Sequence, residues 1–234
     1  MEINKHHKSA LIMGANELVG RKCLLRLLQH DAYSKIVLLL EEPLNFEHAK
    51  LEVHQVNFEK LDRYQEFMAV DDIFYCWGNQ MKINHDRGGY QVAQTYGVEL
   101  AKLALEQGAK QFMLLSSIAA DPDNVLYYRR EKWAFEEALA QFNFWATHVF
   151  RPSILIEDDK PDTGTRLIKN ISNRLNNLAG GNLSKYKPIS AMSVAHAMVF
   201  KAQQFQEGIH IYSAEYLHEY AKNNQEQGLS KKDG

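Results

Sequence analysis

Ser9-Ala10-Leu11-Ile12-Met13-Gly14-Ala15-Asn16-Glu17-Leu18-Val19-Gly20, running on into Arg21-Lys22-Cys23-Leu24-Leu25-Arg26-Leu27-Leu28, is the stretch that decides the fold. A short apolar run enters a glycine, and apolar residues at 18, 19, 24, 25, 27 and 28 then follow a helical period. Strand, glycine turn and helix in that order open a βαβ unit. The pattern recurs along the chain. Ile36 to Leu40 is a solid apolar run suited to the buried centre of a parallel sheet. Leu51 to Val56 alternates, and Asp72 to Trp77, Phe112 to Leu115, Trp145 to Phe150 and Ile209 to Tyr212 supply further strands. Between them lie helical patterns at Tyr90 to Gln107, which Gly108 stops, and at Leu126 to Gln141. Another turns Met192, Ala195, Val199 and Ala202 inward, and the last covers Tyr216 to Ala221. Strands alternating with helices six or seven times predict an α/β fold: a doubly wound parallel sheet in a Rossmann-type three-layer sandwich.

At 234 residues the chain fits one domain, 1–234, and 45% apolar content is enough for a substantial core. Residues 151–222 are expected to form the substrate-side wall, with a polar stretch at 158–182 holding a possible helix from Thr165 to Leu178. Residues 223–234 read as a polar, frayed tail. A net charge of −2 and a pI of about 6.6 leave no basic field for nucleic acid or an anionic membrane. Lys5-His6-His7-Lys8 and Lys231-Lys232 read as solubilising ends. No apolar stretch approaches the roughly 18 residues of a membrane span. The polar first residues show no signal peptide, and Cys23 and Cys76 have neither metal-type spacing nor a disulfide framework. A reduced, cytoplasmic compartment is the expectation, with no metal; the oligomeric state is not legible.

The chemistry is concentrated between Lys110 and Lys132. The strand stops at Ser116-Ser117, Asp121-Pro122-Asp123-Asn124 makes a turn, and Tyr128 and Lys132 follow four residues apart on one helical face. A phenol titrates near pH 10, too high for ready proton exchange at neutrality, and a neighbouring ammonium lowers it. A serine hydroxyl beside the pair can hold a carbonyl or alcohol oxygen. Of the eleven tyrosines only Tyr128 has a lysine four residues on; Tyr127 has Glu131 there. Ser116 and Ser117 both remain candidates.

Leu114-Leu115-Ser116-Ser117, Tyr128 with Lys132, and Phe150-Arg151-Pro152 together resemble the atypical short-chain dehydrogenase/reductase superfamily, in its NmrA-like, Tat-interacting-protein-like oxidoreductase branch. The resemblance runs from about Ala10 to about Tyr220. It implies an NAD(P) site on the turn Gly14, Ala15, Asn16, Glu17, Leu18, Val19 and Gly20, where the family reads Gly-x-x-Gly-x-x-Gly. Glu17 stands in place of the middle glycine, adding a side chain and a negative charge where a pyrophosphate would lie. It either turns outward in an altered site or marks a degenerate one, and a glutamate near a helix N-terminus also has an ordinary dipole rationale. Glu41-Glu42, about 21 residues after Gly20, suits ribose hydroxyls and repels a 2′-phosphate, so NAD is expected over NADP. The resemblance also places Asn57 near the adenine end and Gly78 near the nicotinamide-side ribose. Trp77 is core or pocket wall, with core expected, and the polar loop Asn79 to Gly89 is a candidate lid.

These residues point to NAD(P)-dependent oxidoreduction of a small carbonyl or alcohol. Tyr128 would exchange the proton, Lys132 would lower its pKa and hold ribose hydroxyls, and Ser116 or Ser117 would position the oxygen. Two rivals use the same frame: a nucleotide-sugar epimerase or dehydratase, and a non-catalytic binding or regulatory protein that has lost turnover. Expected partners are a dinucleotide and an unknown small substrate.

Overall fold

The structure is a computed structural model that describes residues 7–42, 46–77, 87–118, 127–157 and 187–230, with backbone alone at 87–92, 127–129 and 225–230. The expected turn at 121–124, residues 79–86 of the candidate lid Asn79 to Gly89, and the possible helix from Thr165 to Leu178 therefore lie outside the described residues.

The first unit forms as its sequence demands. Strand β1 (Lys8–Met13) is buried, and helix α1 (Leu18–Gln29) buries Leu18, Val19, Cys23, Leu24, Leu27 and Leu28 against the sheet. Leu25, which the apolar pattern includes, is 43% exposed; Cys23 takes the inward position. Strands β2 (Tyr33–Leu40) and β3 (Leu51–Gln55) continue on one side of β1. A kinked 3₁₀ segment, Phe58–Met68, then returns the chain to β4 (Asp72–Tyr75) on the other side of β1. Beyond β4 come α2 (Arg87–Glu106), β5 (Gln111–Leu115), α3 (Tyr127–Ala140) and β6 (Ala146–Phe150). Next are β7 (Leu155–Ile156), β8 (Ile189–Ser190), α4 (Ala191–Lys201), β9 (Gly208–Tyr212) and α5 (Ala214–Ser230). The main sheet has the order β3-β2-β1-β4-β5-β6-β9, all pairs parallel, while β7 and β8 pair separately.

Two apolar layers cover the two faces. One gathers Leu24, Leu27, Leu38 and Phe74 with Val194 and Met198 of α4; the other gathers Leu39, Ile73 and Phe112 with Leu100 of α2 and Leu139 of α3. The three-layer expectation holds. Three details differ from the sequence reading. Helix α2 begins at Arg87, inside the stretch read as a loop, and α5 continues to Ser230, past the expected fraying point. Lys8, read as part of a solubilising end, is instead fully buried and ion-paired with Asp72 beneath the sheet. No helix among the described residues is long and apolar enough to cross a membrane.

Candidate functional site

The strand order reverses between β1 and β4, because β2 and β3 lie to one side of β1 and β4 to β9 to the other. In open α/β sheets the crevice above the carboxyl ends of strands at such a point is where ligands bind. Gly14 ends β1 there with φ +81°, and a Cβ would stand 2.7 Å from the Trp77 backbone nitrogen. A Cβ on Gly20 would stand 2.0 Å from the Gly14 carbonyl oxygen. Both positions therefore require glycine for backbone conformation or close packing. Ala15, Leu18 and Val19 turn into the core, so only their backbone faces the turn, whereas Asn16 is exposed. Glu17 precedes the first turn of α1 without capping it through its side chain; its Oε2 is shielded from solvent. The residue as a whole is half-buried, so at least one carboxylate oxygen is turned away from water rather than out into it.

Beside this turn a cavity of about 410 Å³ is lined by Gly14, Asn16, Leu39, Leu40, Glu41, Glu42, Phe58 and Trp77. Glu41 and Glu42 are exposed among its lining residues. Asn57 is not among the lining residues: its Oδ1 accepts from Glu59 N at 2.9 Å, capping the 3₁₀ segment. Phe58 forms the wall next to it. Trp77 is a wall residue as well, half-buried, 5.0 Å from the Phe58 ring and stacked on Tyr96 at 5.8 Å, which corrects its expected place in the core. Gly78 lies outside the described residues.

At the end of β5 the two serines separate. Ser116 is buried, and its Oγ donates to Glu136 Oε1; Glu136 in turn is ion-paired with Arg151, whose Nε lies 3.0 Å from Oε2. Among the described residues Ser117 Oγ makes no hydrogen bond, although it is shielded from solvent. Tyr128 and Lys132 both lie on α3, one turn apart. Lys132, with Ser116, Tyr75, Trp77, Gln94 and Phe135, lines a second cavity of about 30 Å³, room for a single water. Burial pulls the Lys132 ammonium down to about 8, while Glu136 and Glu17 hold it up. An ammonium so placed polarises whatever phenol or hydroxyl meets it.

No family model matches the chain. Protein HTATIP2 of Rattus norvegicus is 33% identical over 161 residues, 67% of this chain and 66% of that protein. The chain belongs to the atypical short-chain dehydrogenase/reductases. Protein FMP52, mitochondrial, of Debaryomyces hansenii is 24% identical over 204 residues, 84% of this chain and 88% of that protein. The matched stretches span just under two thirds of the rat protein and of Protein FMP52, mitochondrial, of Candida glabrata, 66% and 65%. Among solved structures, the Bordetella bronchiseptica enzyme WbmH in complex with NAD+ superposes with a TM-score of 0.67 at 14% identity, covering 89% of this chain and 76% of that one. The oxidoreductase ylbE from Lactococcus lactis gives 0.62 at 16% identity, covering 90% and 95%. These two share the fold. Within this atypical short-chain dehydrogenase/reductase, sequence reasoning missed Phe58 in the wall and Glu136, the partner of Ser116, and expected Trp77 in the core. Trp77 was open between core and wall in the sequence, and Glu136 carried a signal too: it stands four residues after Lys132, on the same helical face.

Proposed function

We propose that this chain is an NAD-dependent oxidoreductase acting on a small carbonyl or alcohol. The observation that carries the reading is Lys132: one turn beyond Tyr128 on α3, it lines the same small cavity as the end of β5, and burial has pulled its ammonium down to about 8. The glycine turn supports a dinucleotide, since Gly14 and Gly20 pack so closely on the Trp77 and Gly14 backbone that α1 opens directly behind the end of β1. Gly14, the amides opening α1 and the cavity walls Phe58 and Trp77 would hold it, with Glu41 at the ribose. Bound there, it would supply or accept the hydride.

The protein's own part is proton transfer and positioning. Tyr128 would give its phenolic proton to the carbonyl oxygen in reduction, or take the alcohol proton in oxidation. Lys132 would favour the phenolate through its charge and reach ribose hydroxyls. Ser117 is the better donor to the substrate oxygen, because the hydroxyl of Ser116 is committed to Glu136. The Glu136–Arg151 pair ties α3 to the end of β6 and so fixes the helix that carries both functional side chains.

Charge at the cavity rim sets the cofactor form. With Glu41 and Glu42 both lining it, NAD(H) should bind more tightly than NADP(H) in parallel calorimetric titrations. Equal affinity, or a preference for NADP(H), would mean that neither carboxylate faces the ribose. A non-catalytic binding protein remains a second reading because of the shielded carboxylate of Glu17. Turnover of any small carbonyl with NADH, lost in Tyr128→Phe, separates the two.

A further inference from the structure

The turn assigned above to the dinucleotide carries one ionisable side chain that such a turn does not need. Glu17 sits midway between Gly14 and Gly20, its Oε2 shielded from solvent and its side chain making no cap to α1. Its charge is felt on two other elements. From α3 comes Lys132, whose ammonium it helps keep charged; from the end of β4 comes the Cys76 thiol, on which its charge also acts. On its own helix, Arg21 reaches away to Glu157, 3.4 Å distant. Glu136, one turn after Lys132, is held by Ser116 and Arg151. Cys76 is neutral, pushed well above its ordinary value by its hydrogen bond to Cys23 and by burial. The carboxylate's charge thus acts on the Lys132 ammonium and on the neutral Cys76 thiol.

The backbone of the turn on either side of it is closely packed. Gly14 is pressed against the Trp77 backbone and Gly20 against the Gly14 carbonyl, at 2.7 and 2.0 Å from where their Cβ atoms would stand. A diphosphate laid on this turn brings two further negative charges to the same helix end and competes with Glu17 for Lys132. Like charges disfavour an ionised carboxylate. A protonated one, by contrast, has an O–H to donate to a phosphate oxygen.

We propose that dinucleotide binding to this chain is proton-linked through Glu17: the carboxylate takes a proton from solvent as the diphosphate docks, so affinity rises as pH falls. This rests on the dinucleotide site proposed above and adds a regulation to it. A group protonated only in the bound state makes Kd rise with pH, by up to about tenfold per unit between its free and bound pKa values.

The test is titration calorimetry of the full chain with NADH from pH 5.5 to 7.5, in buffers of different ionisation enthalpy, which counts protons taken up. Wild type should show Kd rising with pH and an uptake approaching one proton. Glu17→Gln keeps the shape without the titration; it should bind at least tenfold more tightly at pH 7.5, with uptake near zero. Because Lys132 itself titrates near 8, the pair is repeated in a Lys132→Arg background, where the same difference should persist. Glu17→Gly serves as the second variant if the glutamine protein does not fold. A flat wild-type profile with clear NADH binding would overturn the proton link alone. So would a neutral variant that keeps the wild-type slope. Absence of NADH binding by wild type and both variants at every pH would overturn the dinucleotide site together with the link.

Discussion

Tyr128→Phe should lower kcat by roughly 10²- to 10⁴-fold, the range that a positioned general acid contributes, while NADH affinity stays nearly unchanged. The reasoning is positional. Tyr128 and Lys132 occupy successive turns of α3, and burial leaves the ammonium poised at about 8, able to favour a phenolate. Tyr127→Phe should change little, because its partner one turn on is Glu131, whose charge would raise a phenol rather than lower it. The serines should separate as well. Ser117→Ala should reduce kcat, whereas Ser116→Ala should mainly loosen the contact with Glu136 and lower stability. Steady-state kinetics with NADH and a panel of small carbonyls checks this. A dead Tyr127→Phe protein, or Tyr128→Phe with full kcat, would show that another helix face does the work.

Asp72→Ala should cost about 3–5 kcal/mol of folding stability, measured by urea denaturation, because it strands a buried ammonium. At the amino end of the sheet, Lys8 and Asp72 are both fully buried and ion-paired. Gln111 Nε2 donates to Asp72 Oδ1 at 2.9 Å, and Lys8 Nζ also donates to the Ala202 carbonyl at 3.1 Å. Gln203 Nε2 reaches the Tyr33 hydroxyl at 2.8 Å. Desolvation raises the Asp72 carboxyl, with Lys8, Tyr33 and Gln111 opposing it. The sign follows. Ionising Asp72 is harder in the fold than in the unfolded chain, so its charge weighs against stability above the unfolded-state value, and that cost fades as pH falls. The network is therefore worth little net, yet breaking it from one side is expensive. Lys8→Met with Asp72→Leu should recover part of the loss. A single Asp72→Ala change costing under about 1 kcal/mol would mean that water reaches the ammonium.

Much of this was legible in the order of residues. Apolar runs that end at Gly14 and at Ser116 mark strands and their crevice ends, and the Tyr128–Lys132 spacing marks a helix face; both are local patterns, and local patterns survive folding. What the sequence could not show depends on which chain segments meet. Lys8 looks like a polar terminus until β4 places Asp72 beside it. Trp77 looks like core until the 3₁₀ segment sets Phe58 against it and leaves an open cavity on the other side. Asn57 looked able to reach a ligand, but its side chain caps the segment that begins there. The direction of Glu17 was likewise undecidable from position alone, since an outward or inward rotamer satisfies the same local sequence.

The central claim is a dinucleotide site at the reversal of strand order between β1 and β4, and a crystal of the full chain soaked in NADH at pH 5.5 tests it most directly. The account expects the adenosine in the cavity lined by Leu39, Glu41 and Phe58, the diphosphate over Gly14 to Gly20, and the nicotinamide facing Tyr128. Density for NADH anywhere else, or an unchanged empty cavity at millimolar NADH, would contradict it.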